Sequence, residues 1–174
     1  MFAPGLLSGR RALITGGGTG LGRAIARRYL QLGARIAICG RRLAVLQETA
    51  AALRAEIPGA DIAVYACDIR DAAAVEAMLD TVFAEGAPDI LVNNAGGPPP
   101  GDFRDWTRDD WIKAIDANML TPIALMQAAM PGMIARGWGR VVNITSQSVK
   151  APIAQLGLSN AARSGLTGFV AGTS

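Results

Sequence analysis

Glycines at positions 16, 20 and 22 follow the short apolar run Ala12–Ile14. They precede apolar residues at helical spacing, Leu21, Ala24, Ile25, Tyr29 and Leu30. A strand that turns through glycines into a helix leaves unpaired backbone N–H groups at the helix N-terminus. Together with the positive end of the helix dipole, those donors suit a phosphate. In Thr15-Gly16-Gly17-Gly18-Thr19-Gly20-Leu21-Gly22, Gly16 permits the turn and Gly20 admits close approach of a pyrophosphate. Gly22 lets the helix lie close to the strand. The spacing is Gly-x-x-x-Gly-x-Gly, not the commoner Gly-x-Gly-x-x-Gly, so dinucleotide binding competes here with a plain strand–turn–helix joint.

Other chemistries are excluded by what is missing. The chain has no histidine, which removes the commonest general base and the commonest metal ligand. Cys39 and Cys67 lack metal or redox spacing, and each ends an expected strand as a small buried residue would in a reducing compartment. No metal site is expected. The net charge of +3 comes from arginines scattered in runs no longer than Arg10-Arg11, Arg27-Arg28 and Arg41-Arg42, an ordinary solvated surface. With only 5% aromatic residues and no clustered basic face, no nucleic-acid partner is expected. No apolar run reaches membrane-spanning length and Met1–Gly9 lacks the layout of a signal peptide, so the expected location is the cytoplasm, with no membrane partner. At 174 residues, with 51% apolar and 18% charged, residues 1–174 read as a single ordered domain.

The elements that must position these residues can be read in order. Ala34–Cys39 is a second apolar strand, followed by Gly40-Arg41-Arg42 and a helix from about Leu43 to Glu56 that stops at Pro58-Gly59. Ile62–Cys67 is a third strand and runs into Asp68-Ile69-Arg70-Asp71. Asp71 can cap a helix from Ala72 to about Glu85, with Val75, Met78, Leu79 and Val82 on its apolar face. Ile90–Val92 is a short fourth strand. Strands alternating with helices predict right-handed βαβ units and a parallel sheet. The loop Asn93–Gly101, with prolines at 98, 99 and 100, leaves the carboxyl end of a parallel strand, where open α/β sheets bind ligands. Thr107-Arg108-Asp109-Asp110 has the form of a capping box and opens a helix carrying Trp111, Ile112 and Ile115. Ala117–Ile134 is apolar almost all round, as a deeply buried or oligomer-contact helix would be, and Pro122 and Pro131 are expected to bend or restart it. Val141–Ile144 is a fifth strand, and a last helix begins near Ser159.

Taken together, these pieces resemble the short-chain dehydrogenase/reductase family. The resemblance rests on Thr15-Gly16-x-x-x-Gly20-x-Gly22, Asp68 after strand three, Asn93-Asn94-Ala95-Gly96 after strand four, Asn118 in the long helix and Ser146 after strand five. It covers essentially all 174 residues. It implies an α/β fold with a Rossmann-type doubly wound parallel sheet, here without the family's last strands. It also implies an oxidoreductase that moves hydride between a nicotinamide cofactor and a small carbonyl or alcohol substrate.

By the same resemblance, Gly16, Gly18, Thr19, Gly20, Leu21 and Gly22 hold the pyrophosphate. Asp68 and Ile69 flank the adenine, with Asp68 accepting from its amino group, and Asn94, Ala95 and Gly96 line the ribose. Asn118 kinks its helix and holds a water in a proton relay, and Ser146 hydrogen-bonds the substrate carbonyl. Each has a plainer alternative: a helix-start carboxylate, a strand-end brace, a satisfied helical asparagine and a turn serine. An acid at the end of strand two would select NAD, whereas a nearby arginine accommodates the 2′-phosphate of NADP. The strand ends Cys39-Gly40-Arg41-Arg42, so NADP(H) is expected over NAD(H), with Arg41 and Arg42 on the phosphate.

One departure matters. The family's Tyr-x-x-x-Lys pair falls, 13 residues after Ser146, on Ser159 and Arg163, with Gly165-Leu166 fixing the register. A serine hydroxyl is far less acidic than a phenol of pKa about 10 and is too short to occupy the tyrosine oxygen's position. Arg163 can hold the nicotinamide ribose or a substrate carboxylate but cannot shuttle a proton. Tyr29 and Tyr65 lie in the first helix and third strand and do not substitute. Three readings follow: a reductase whose proton comes from water or the substrate, a non-catalytic NADP(H)-binding sensor or partner subunit, and a C-terminally incomplete domain. A homodimer or homotetramer is implied through the long apolar helix and the helix after Ser159.

Overall fold

Every residue of Arg11–Thr15 (β1) is buried, as a strand covered on both faces must be. The structure, a computed structural model, describes residues 2–173; Met1 and Ser174, the ends of the expected 1–174 domain, lie outside the described residues. β1 pairs on one side with Arg35–Gly40 (β2) and on the other with Ile90–Asn93 (β4). Ile62–Ala66 (β3) lies outside β2 and Arg140–Asn143 (β5) lies outside β4, giving a wholly parallel sheet of order β3-β2-β1-β4-β5. Strand order reverses between β1 and β4, so a crevice opens beyond their carboxyl ends.

Alternation along β1 divides the core in two. Ala12 and Ile14 face a layer formed by Gly20–Gln31 (α1) and Leu43–Glu56 (α2), through Ala26, Leu30, Leu46 and Leu53. Leu13 faces Ala72–Ala84 (α3), Thr121–Ala135 (α5) and Gly157–Thr173 (α6), through Val75, Met78, Val82, Leu125, Met126 and Leu166. This is the doubly wound arrangement expected. Asp71 caps α3, its Oδ1 accepting from the N–H groups of Ala73 and Ala74 at 3.0 and 3.2 Å. The capping box of Thr107 and Asp110 opens Arg108–Ile115 (α4).

Three expectations are corrected. Pro131 does not interrupt the long helix, since α5 runs through it to Ala135, whereas Pro122 lies in the first turn where the α-helix starts again, as expected. A proline inside a helix costs about 3 kcal/mol, but burying Leu125, Met126 and Met133 against the sheet returns ~1.5–3 kcal/mol for each side chain. The distortion lies earlier, where Asp116–Leu120 forms a single wide π-helical turn between α4 and α5. Arg11 is also not solvated surface. It is buried on β1, and Nη1 donates to the carbonyl of Val82 at 2.9 Å and to that of Gly86, while Nη2 meets Glu85 at 3.0 Å. A cation there matches the negative end of α3. Finally, α6 begins at Gly157, two residues ahead of Ser159. Among the described residues no helix is long and apolar enough to cross a membrane.

Candidate functional site

The turn after β1 is built so that only glycines fit. Gly16 and Gly20 have φ of +62° and +50°, the left-handed region. A Cβ on Gly16 would lie 2.5 Å from the Asn94 carbonyl oxygen, and one on Gly22 would overlap the Gly16 carbonyl oxygen and approach Asn94 Nδ2 to 2.8 Å. Gly17, which sequence reasoning passed over, is a packing glycine: its Cβ would meet Ile38 at 2.5 Å. Thr19 caps α1 with extended backbone but no side-chain hydrogen bond, and the first turn of α1 carries no acid. The first amides of α1 therefore have no side-chain acceptor, the condition for an anion site.

Asn94 joins this turn to β4. Its N–H donates to Thr15 Oγ1 at 2.8 Å, and Nδ2 donates to the carbonyls of Thr15 at 3.2 Å and Gly16 at 3.4 Å. Its side chain is thus the brace given as the plainer alternative, while its backbone stays on the cleft wall. Behind the turn, Thr49 Oγ1 donates to the Gly18 carbonyl at 2.7 Å.

The crevice beyond the strands is a cleft of about 760 Å³. Of the residues expected to form the site, Gly16, Gly18, Thr19, Gly20, Leu21, Arg41, Arg42, Asp68, Ile69, Asn94, Ala95, Gly96 and Asn118 line it. Gly22 acts through packing, and Ser146, Ser159 and Arg163 are not among the lining residues. Leu21, an apolar side chain 54% exposed, lies at the mouth. Sequence reasoning missed other lining residues, among them Arg70, Trp106 and Lys113, while Gly97 lies in the Asn93–Gly101 loop expected at the ligand-binding end of the sheet. Trp106 stands edge-on to Trp111, ring centroids 5.7 Å apart, and a Cβ on Gly101 would come within 2.8 Å of its Nε1. The sequence signal for this wall is the presence of two tryptophans five residues apart, beside the capping box.

Asp68 is already partnered. Its Oδ1 accepts from Arg70 Nε at 2.9 Å and its Oδ2 from Arg70 Nη2 at 2.5 Å, which holds the carboxyl down at about 2. Cys39 and Cys67 sit in the floor as neutral thiols, burial pushing Cys39 up to about 12 and raising Cys67 as well.

On the other side of the crevice, Asn118 lies in the π-helical turn. Its Nδ2 donates to the Ala114 carbonyl at 3.2 Å, while Oδ1 is buried without a partner. An acceptor left so costs about 1–3 kcal/mol unless something donates to it. Ser146 Oγ accepts from Ser148 N–H at 3.1 Å and from Ser148 Oγ at 2.9 Å, capping the turn Gln147–Val149. Ser159 and Arg163 lie on the buried side of α6, 6% and 7% exposed. Arg163 departs from its expected role. Its Nη1 donates to the carbonyls of Ile144 and Thr145, both at 2.7 Å, and its Nη2 to that of Ala95 at 3.1 Å, so the fork grips backbone and does not enter the cleft. Burial lowers its pKa from the ordinary guanidinium value. Neither tyrosine approaches the cleft: Tyr65 Oη donates to Glu85 at 2.6 Å, and Tyr29 packs against the α1–α2 core. Burial, together with Glu85, pushes Tyr65 up to about 12.

A family model described as short chain dehydrogenase matches residues 10–174. Among curated proteins, the D-xylose 1-dehydrogenase of Caulobacter vibrioides is 36% identical over 166 residues, covering 94% of this chain and 64% of that protein. The D-threitol dehydrogenase of Mycolicibacterium smegmatis is 38% identical over 152 residues, covering 86% of this chain and 57% of that protein. The chain thus spans less than two thirds of the length of these curated relatives. Among solved structures, a metagenomic short-chain oxidoreductase in complex with NADP superposes with a TM-score of 0.90 at 34% identity, over 96% of this chain and 76% of that one.

Proposed function

The chain belongs to the short-chain dehydrogenase family, and on that premise we propose that it binds NADP(H) across the crevice between β1 and β4 as an oxidoreductase acting on a small carbonyl or alcohol. The observation that carries this reading is the glycine turn: Gly16 and Gly20 take left-handed backbone there, and it faces the cleft with uncapped amides. Bound there, the nicotinamide supplies the hydride chemistry. The amides from Gly16 to Gly22 hold the diphosphate. Asp68 and Ile69 border the adenine, and Asn94 to Gly96 border the ribose.

Preference for NADP(H) over NAD(H) is supported by Arg41 and Arg42, both exposed on the cleft at the end of a strand that offers no acid. The similar metagenomic structure is an NADP complex. Arg41 meets the 2′-phosphate as a charge-assisted pair. The buried, unpartnered Asn118 Oδ1 would accept from a water of a proton relay. The role at the substrate carbonyl that the resemblance gives Ser146 has no support from the cleft lining, where Ser146 does not appear. By the register read from the sequence, Ser159 and Arg163 would take the places of the family's tyrosine and lysine; both lie on the buried side of α6, one turn apart.

A second reading, NADP(H) binding without turnover, is favoured by two observations: the chain's two tyrosines lie off the cleft, and the fork of Arg163 is engaged with backbone. Calorimetric titration with NADPH and NADH tests the common premise. NADPH is expected to bind at least about tenfold more tightly, the worth of one charge-assisted pair; equal constants reject the preference, and no heat from either rejects the function. NADPH consumption against a panel of aldehydes and ketones then separates the two readings.

A further inference from the structure

The ladder between β4 and β5 ends where Ile144 N–H donates to the Asn93 carbonyl at 2.9 Å. Past that point the two chains diverge. One becomes the cleft wall from Asn94 to Gly97, the other the turn that begins at Ser146. Arg163 sits between them. Its three acceptors are the carbonyls of Ile144 and Thr145 beyond β5 and of Ala95 beyond β4, with 68 residues of chain separating Ala95 from Arg163. The fork lies directly behind the wall, because a Cβ on Gly97 would stand 3.7 Å from Nη2. All three acceptors are backbone carbonyls, which between them meet both Nη groups of a guanidinium whose burial is otherwise unfavourable, while Nε is buried without a partner. The planar fork reaches acceptors on both segments at once, which a lysine ammonium on a flexible stem does not.

We propose that Arg163 is a positioning residue: its guanidinium continues the β4–β5 connection past the last ladder bond and so fixes the cofactor-lining wall relative to Ser146. The ligand-binding part of this inference rests on the NADP(H) reading above; the bridge itself does not.

Nitrogen-15 spectra of the wild-type chain test the bridge without any substitution. The Nη protons of Arg163 are expected to be resolved and slow to exchange; one averaged, fast-exchanging guanidinium signal overturns the proposal. In Arg163→Met, amides from Asn94 to Gly97 and from Thr145 to Gln147 are expected to exchange at least about tenfold faster than in the wild type, while those of β1 and the glycine turn stay unchanged. Loosening spread evenly over the sheet overturns it, as a merely structural role would produce that. NADPH affinity is expected to fall about five- to tenfold in Arg163→Met and less in Arg163→Lys, as expected for loss of hydrogen bonds to a charged group. Faster local exchange with unchanged affinity, in a chain whose wild type binds NADPH, overturns the role in shaping the site. Should Arg163→Met fail to fold, Arg163→Lys and the guanidinium spectrum decide. A wild type that binds no NADPH removes the proposed function, and the exchange measurements still judge the bridge.

Discussion

At Gly22, a single methyl group decides whether α1 can lie against the turn after β1. Its Cβ would overlap the Gly16 carbonyl oxygen, which is rigid backbone and cannot swing aside. Gly22→Ala is therefore expected to cost about 1–3 kcal/mol in stability, the range for overpacking, and to abolish detectable NADPH binding by calorimetry. Arg41→Glu places an acid where the 2′-phosphate would lie and is expected to reverse the NADPH/NADH preference, read as the ratio of the two dissociation constants. Asp68 supplies the pH dependence. Its folded value of about 2 lies below the ordinary aspartate value of about 3.9, so its contribution is present above pH 4 and is lost as pH falls through the folded value. Part of that is screened, since the Arg70 side chain is 52% exposed. Between pH 5 and pH 2 the melting temperature of the wild type is expected to fall further than that of Asp68→Asn.

At the scale of elements, the long helix shows which energies win. α5 keeps its course through Pro131 because its buried face is held by the sheet, not by its own hydrogen bonds. Relief of the proline should therefore register as stability. Pro131→Ala is expected to raise stability by about 1–3 kcal/mol in urea titration without moving NADPH affinity. A loss of stability would mean that the ring's own packing matters more than the missing bond. The π-helical turn ahead of α5 has a different consequence: widening the helix at Asn118 leaves Oδ1 buried with no donor, beside the cleft.

At the scale of the molecule, an apolar face is left uncovered among the described residues. A groove between α5 and α6 is walled by Met126, Met130, Pro131 and Phe169, and Ile134 beside it is 72% exposed. The homodimer or homotetramer proposed from the family resemblance would cover this face. Light scattering at micromolar concentration is expected to give at least twice the chain mass of 18.0 kDa, and Met130→Lys with Ile134→Lys to reduce it to the monomer. A wild-type monomer rejects the assembly.

Where residues act through the chain next to them, the amino-acid sequence alone was enough. Buried strands alternating with capped helices gave the parallel sheet, and the glycine spacing gave the tight turn after β1, because a left-handed φ or a helix cap is a local matter. It could not show that Arg11 and Arg163 are buried, that Asp68 is held by Arg70, or that Trp106 walls the cleft. Those depend on which carbonyls, carboxylates and glycines arrive from segments far along the chain. A guanidinium looks the same in sequence whether water or three backbone carbonyls surround it, and only the packing of α6 against the ends of β4 and β5 decides which.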